Sequence, residues 1–185
     1  MKKIIAALII SIFVLQNISL CDEFKDEIYY KRQIQYQRYT YNKWGFYRAV
    51  KKKNHIATEA FLDVGYSPDS KWFGTPLIFY TIQKYDNSAL KMFLSHSVDL
   101  DITSKNKNLL LCCIDSSNSR AIEILIKHNI DINKKYKSKL PLNYAIKKEQ
   151  TKIVEILLNA GAKPDEETLV LIKNSKDEYL KSLFE

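Results

Sequence analysis

Two side-chain types in this chain could do chemistry, and their spacing argues against each. His96 and His128 stand 32 residues apart at matching points of two similar stretches. Imidazoles on neighbouring elements could begin a metal site, but no cysteine or close carboxylate column completes the ligand set. A histidine near a helix C-terminus is favoured by the helix dipole without any metal. His55 stands apart from both. Cys112 and Cys113 could supply a thiol nucleophile. They lie between Leu111 and Ile114 in the most apolar stretch, with no basic partner near in sequence, and read as small buried hydrophobes. The four glycines, at 45, 65, 74 and 161, are too scattered to assemble a phosphate loop. The chain is therefore expected not to be an enzyme and to need no cofactor and no metal.

The spacing of 32 points instead to the elements. The chain has 185 residues, 46% apolar and 27% charged, with only four glycines and four prolines. That is the composition of a globular, helix-biased protein. One phrase occurs four times: "ATEAFLDVGYSPD" (57–69), "ALKMFLSHSVDLD" (89–101), "AIEILIKHNIDIN" (121–133) and "IVEILLNAGAKPD" (153–165). Its apolar residues fall at helical spacing, as in Ile122, Leu125 and Ile126, or Val154, Leu157 and Leu158. The ninth position reads Gly65, Ser97, Asn129 and Gly161, a helix stop at positive φ that leaves Ser97 strained. A second phrase precedes each first one: "WGFYRAV", "TPLIFYT", "NLLLCCI" and "LPLNYAI". Thr75 before Pro76 predicts a hydroxyl N-cap with proline at the first helical position. Ala49 and Ala145 share a column where helices approach closely, with Tyr80 and Cys113 in the other copies. Each unit is helix, short turn, helix and an extended return. Such a unit buries its apolar face only against another copy, so Leu94, Ile126 and Leu158 should form a ladder.

The motifs "TPL" at 75–77, "LPL" at 140–142 and "IVEILLNAGAKPD" at 153–165 resemble the ankyrin repeat. The resemblance covers about 44–185, in units 44–74, 75–107, 108–139, 140–168 and a shortened last unit 169–185. The family's histidine after "TPL" is replaced by Ile78, Leu111 and Asn143, and its glycine between the helices by Ser117 and Glu149. The period is 32 rather than the family's usual 33. The resemblance implies an all-α, ankyrin-like solenoid of stacked helix-turn-helix repeats with short connecting fingers.

In that family the fingers and the exposed side of the first helices form a concave groove, which usually takes a protein partner. The fingers here would be "SKWFG", "ITSKNK" and "KKYKSK", with seven lysines and no acid. The resemblance thus makes Lys71, Trp72, Phe73, Lys105, Lys107, Lys134, Lys135, Tyr136 and Lys137 candidate partner-binding residues, joined by Lys147 and Lys148 at a first-helix end. Glu59, Glu123 and Glu155 lie on the second helices, so acid is segregated from the lysines. Aromatics among cations suit interface hot spots. An acidic protein partner is the leading expectation, with electrostatics steering the encounter. The bland alternative is a solvated lysine-rich surface, since lysine is depleted from interface cores. Other readings are a binder of anionic surfaces such as lipid headgroups or acidic glycan, and an inhibitor or immunity protein. Nucleic acid is the less expected partner, and a monomer is expected.

Residues 1–21 have the anatomy of a secretory signal peptide: Lys2 and Lys3, an apolar run of twelve residues from Ile4 to Leu15, then Gln16 and Asn17. The run is too short to span a bilayer. Export to periplasm, cell envelope or medium is expected, with a lipid tether if Cys21 is acylated. Leader removal would lower the formal charge from +8 to +6. Only Cys112 and Cys113 would then remain, adjacent in sequence, so no disulfide framework is expected. Residues 22–43 read as an N-terminal extension or capping helix. Lys173, Lys176, Asp177, Glu178 and Lys181 suit a polar outer face at the other end. Such a leader on a lysine-, isoleucine- and asparagine-rich chain suggests a low-GC bacterium.

Overall fold

The computed structural model describes residues 26–185, so the expected leader and Cys21 lie outside the described residues. The backbone clusters into two compact units that divide between Tyr66 and Ser67.

The first unit holds a helix over 26–36 (α1), then α2 (Lys43–Lys51) and α3 (His55–Asp63). The expected capping segment is thus helical over 26–36, and it buries Ile34 completely. Asn42 and Asn54 begin α2 and α3, accepting from the Gly45 and Ala57 amides at 2.9 and 3.0 Å. Both bonds satisfy donors that a helix start leaves open. Phe46, Phe61 and Tyr66 pack mutually with ring centroids 5.0 to 5.5 Å apart. Gly45 is required by a close approach, because a Cβ there would overlap the Thr40 carbonyl oxygen.

The second unit opens with a hairpin, β1 (Lys71–Trp72) and β2 (Thr75–Pro76), and continues through α4 (Leu77–Gln83), α5 (Asn87–Ser95), α6 (Leu109–Asp115), α7 (Ser119–Lys127), α8 (Pro141–Lys147), α9 (Thr151–Asn159), α10 (Glu166–Lys173) and α11 (Glu178–Ser182). Each consecutive pair is an antiparallel hairpin of helices, and the hairpins stack in two layers. In one, α4 touches α6, α6 touches α8 and α8 touches α10; in the other, α5, α7, α9 and α11 follow the same order.

The columns of this stack follow the 32-residue period. Phe93, Leu125 and Leu157 occupy one position on α5, α7 and α9 and are fully buried, as are Leu90, Ile122 and Val154 beside them. Leu94, Ile126 and Leu158 share the next position. Leu94 is 9% exposed and the other two are half-buried, so this column lies at the edge of the core. The close-approach column holds Thr81, Cys113 and Ala145, each 0% exposed. Tyr80, expected there, is one residue off and half-buried. The same offset explains a second difference. Pro76 is itself the N-cap of α4 and Thr75 belongs to β2, whereas Pro141 is the first residue of α8. The look-alike motifs "TPL" and "LPL" are therefore one position out of register, and ladder pairing of Thr75 with Trp72 takes precedence over a hydroxyl cap.

The turns behave as their spacing requires. Second helices end at Ser97, Asn129 and Gly161 with φ of 40°, 60° and 89°. The turns inside the hairpins use Tyr85, Ser117 and Glu149 at 54°, 50° and 55°. Gly161 occupies this left-handed region at little cost, whereas the side chains at Ser97, Asn129, Tyr85, Ser117 and Glu149 make those positions store strain. At the last hairpin of helices, Lys173, Lys176, Asp177 and Glu178 are exposed, but Leu169 and Val170 are more than half exposed as well. The outer face is thus less polar than expected. Among the described residues no helix is long and apolar enough to cross a membrane.

Candidate functional site

The second unit has three hairpins, one before α4 and two between its helix pairs, and all have the same two-residue turn. Trp72 pairs with Thr75, Ser104 with Lys107 and Tyr136 with Lys139. Between them Phe73 and Gly74 have φ of 47° and 76°, Lys105 and Asn106 48° and 64°, and Lys137 and Ser138 46° and 63°. Positive φ at both central residues matches the right-handed twist of the flanking strands. Asparagine and glycine suit such turns best. Phenylalanine and lysine at the first turn position are strained by about 1–2 kcal/mol each, and strain of this kind concentrates at functional surfaces. Phe73 is also 93% exposed. Trp72 is half-buried and meets Phe73 edge-on, with ring centroids 5.2 Å apart.

The candidate lysines separate into two sets. Lys134 pairs with Asp101 at 2.6 Å, Lys135 with Asp165 at 2.9 Å and Lys147 with Glu167 at 2.5 Å. Lys107 and Lys148 converge on Asp115, Lys148 at 3.7 Å. All but the Lys107–Asp115 pair join one helix pair to the next, so the five lysines are partly neutralised; four are staples between neighbours and Lys107 ties its hairpin to α6. Lys71 and Lys105 are exposed and meet no carboxylate among the described residues. Lys137 donates to the Asn106 side-chain oxygen at 2.5 Å, linking two hairpin tips. Tyr136 is half-buried on its strand. Phe73, Lys105 and Lys137 thus occupy equivalent places at the three tips, while the five ion-paired lysines are drawn into the framework and Lys71 stays exposed on β1.

Between the second hairpin and the first-helix layer is a hollow of about 210 Å³, lined by Phe79, Gln83, Ser104, Lys105, Lys107, Cys112, Asp115 and Ser116. It is smaller than the usual small-molecule site, which begins near roughly 300 Å³. Burial raises the Cys112 thiol, with Gln83 opposing, and raises the fully enclosed Cys113 thiol strongly. Neither favours the thiolate that a nucleophile needs. Asp115 keeps its charge: burial opposes ionisation, but the Lys107 and Tyr144 hydrogen bonds and both lysine charges outweigh it and lower the carboxyl. Tyr144 donates to Asp115 at 2.6 Å, and that bond, with burial, lifts its hydroxyl to about 12.

Other residues that tie the repeats together were legible only in part. Asn118 and Gln150 each donate one repeat back, to the Ile82 and Ile114 carbonyls at 3.0 and 2.8 Å. Their signal was the column Asn54, Asp86, Asn118 and Gln150, all 32 apart. Asn143, at the place of the missing histidine, donates to Asp165 and Glu167 at 2.8 and 3.1 Å and accepts from Thr168 at 2.5 Å. His96 and His128 sit at the ends of α5 and α7 as C-caps. Among the described residues no group of three or more histidine, cysteine or carboxylate side chains is placed to hold a metal ion.

Comparison with known proteins agrees with this geometry. A family model described as "Ankyrin repeats (3 copies)" matches residues 46–136 and 78–168, together about two thirds of the chain. No curated protein matches it. Among 29 solved chains that match is the ankyrin repeat domain of Bcl-3, described as a unique member of the IkappaB protein family. The TM-score is 0.64 at 13% identity, covering 76% of this chain and 66% of that one. The chain therefore spans just under two thirds of that structure, and a likeness at this identity speaks to fold alone.

Proposed function

This chain belongs to the ankyrin-repeat family, and we propose that it is a non-catalytic binding module whose hairpin tips dock an acidic protein partner. One observation carries the reading: Phe73, Lys105 and Lys137 recur at the strained first position of three successive turns. An exposed aromatic ring at one tip and cations at the next two offer an apolar anchor with charge for steering. Lys134, Lys135, Lys147 and Lys148 contribute by holding the repeats in register, and Lys107 by tying its hairpin to α6, rather than by meeting the partner first. The protein works outside the cytoplasm, as the composition of residues 1–21 implies.

The test is capture from the source organism's cell envelope and medium, with the wild-type chain and with Lys105→Glu plus Lys137→Glu. A partner held by the wild type, released by added salt and lost on charge reversal supports the reading. Equal capture by both chains removes it. Intact mass of the native protein tests export separately, since a chain that retains residues 1–21 without a lipid would contradict it.

A further inference from the structure

Residues 26–66 of the first unit carry half of the chain's formal charge in a small space. Residues 26–66 hold eight lysines and arginines against four acids, a surplus of +4 out of +8. Much of it is on and just after α2, where Lys43, Arg48, Lys51, Lys52 and Lys53 fall within 43–53 with no acid between them. All five are exposed. The helix divides cleanly. Gly45, Phe46, Ala49 and Val50 are buried, while Trp44, Tyr47, Arg48 and Lys51 form a stripe at helical spacing on the other side. Trp44 is 48% exposed, and Ile56 at the start of α3 is 60% exposed.

We infer that this aromatic and cationic face of α2 rests on an anionic lipid surface. The cations there are mostly lysine, which suits a diffuse negative surface better than the core of a protein interface. Trp and Tyr with polar edges settle at the headgroup level of a bilayer, and basic side chains beside them reach phosphates. The rings are not arranged as stacking platforms for bases. Lys51 lies over the Tyr47 ring at 5.7 Å, Arg48 over Tyr39 at 5.8 Å, and Trp44 packs on Tyr47 at 5.6 Å. Each of these rings already has a neighbour on it, whereas single-stranded nucleic acid is held by a row of open ring faces. The inference concerns a different unit from the hairpin tips and stands or falls independently of partner capture.

The experiment is cosedimentation of the full chain with vesicles of phosphatidylcholine alone and of phosphatidylcholine with phosphatidylglycerol. The neutral vesicles report any contribution from the apolar run at 4–15. The expected result is stronger partition to the anionic vesicles, weakened by salt. Lys51→Glu with Lys52→Glu should lower that partition by about tenfold or more and leave neutral binding unchanged. Reversing Lys152 and Lys163, exposed residues of the second unit, should have little effect. In a Trp72→Phe chain, Trp44 emission should shift to the blue on anionic vesicles only. Should the double reversal fail to fold by circular dichroism, Lys51→Gln with Lys52→Gln takes its place, with a severalfold loss expected. Equal partition to both vesicle types overturns the inference, as does equal loss from the two reversals. Binding of a single-stranded oligonucleotide without vesicle preference overturns it too, and assigns the face to nucleic acid.

Discussion

Asn118 donates its side-chain amide to the carbonyl oxygen of Ile82 across 3.0 Å, one helix pair back along the stack, while its side-chain oxygen accepts the Ala121 amide at 3.0 Å. One residue thus caps its own helix and satisfies the C-terminal end of its neighbour. Asn118→Ala should cost about 2–4 kcal/mol, combining a lost cap with a lost buried hydrogen bond. Asn118→Ser keeps the cap and should cost about half as much. Urea unfolding monitored by circular dichroism measures both.

Leu125 is fully buried between α5 and α9, whereas Ile126 beside it is half-buried. Leu125→Ala should cost about 2–5 kcal/mol, and Ile126→Ala about 1 kcal/mol. Similar losses in urea midpoint for the two variants would mean that the core column is misplaced.

Phe73 combines a left-handed backbone with near-complete exposure. Phe73→Asn should therefore raise stability by about 1 kcal/mol while weakening partner capture. A variant that is more stable and binds equally well would show that the ring has no role at the tip.

The hydrogen bonds from Asn143 and Lys135 hold the Asp165 carboxyl well below the usual range, and those from Lys147 and Asn143 lower Glu167. A depressed folded value means stability that is present at neutral pH and lost as pH falls below about 4. Tyr144 has the opposite sign. Its hydroxyl is raised from 10.0 to about 12, so its contribution is intact below pH 10 and fades towards 12. Thermal melts against pH should show both limbs. Asn143→Ala should flatten the acid limb and Tyr144→Phe the alkaline one.

The repeat period, the two-helix unit and the buried columns were legible because apolar side chains at helical spacing have one way to leave water, against the next copy. Positive φ at Asn129 and Gly161 was legible too, because residue type reports backbone strain. The one-residue offset between "TPL" and "LPL" was not, since both motifs begin a helix and only the strand pairing of Thr75 separates them. The candidate face was half legible. Lysines could be counted along the hairpins, but the carboxylates that neutralise Lys134, Lys135 and Lys147 come from elsewhere in the chain.

The sequence by itself determined that copies of one unit stack, because local propensity and periodicity are properties of neighbours along the chain. Only the tertiary structure decided which lysines are staples and which stand open at the tips. An ion pair depends on distances through space between residues some 20 to 33 positions apart, and no local pattern encodes those.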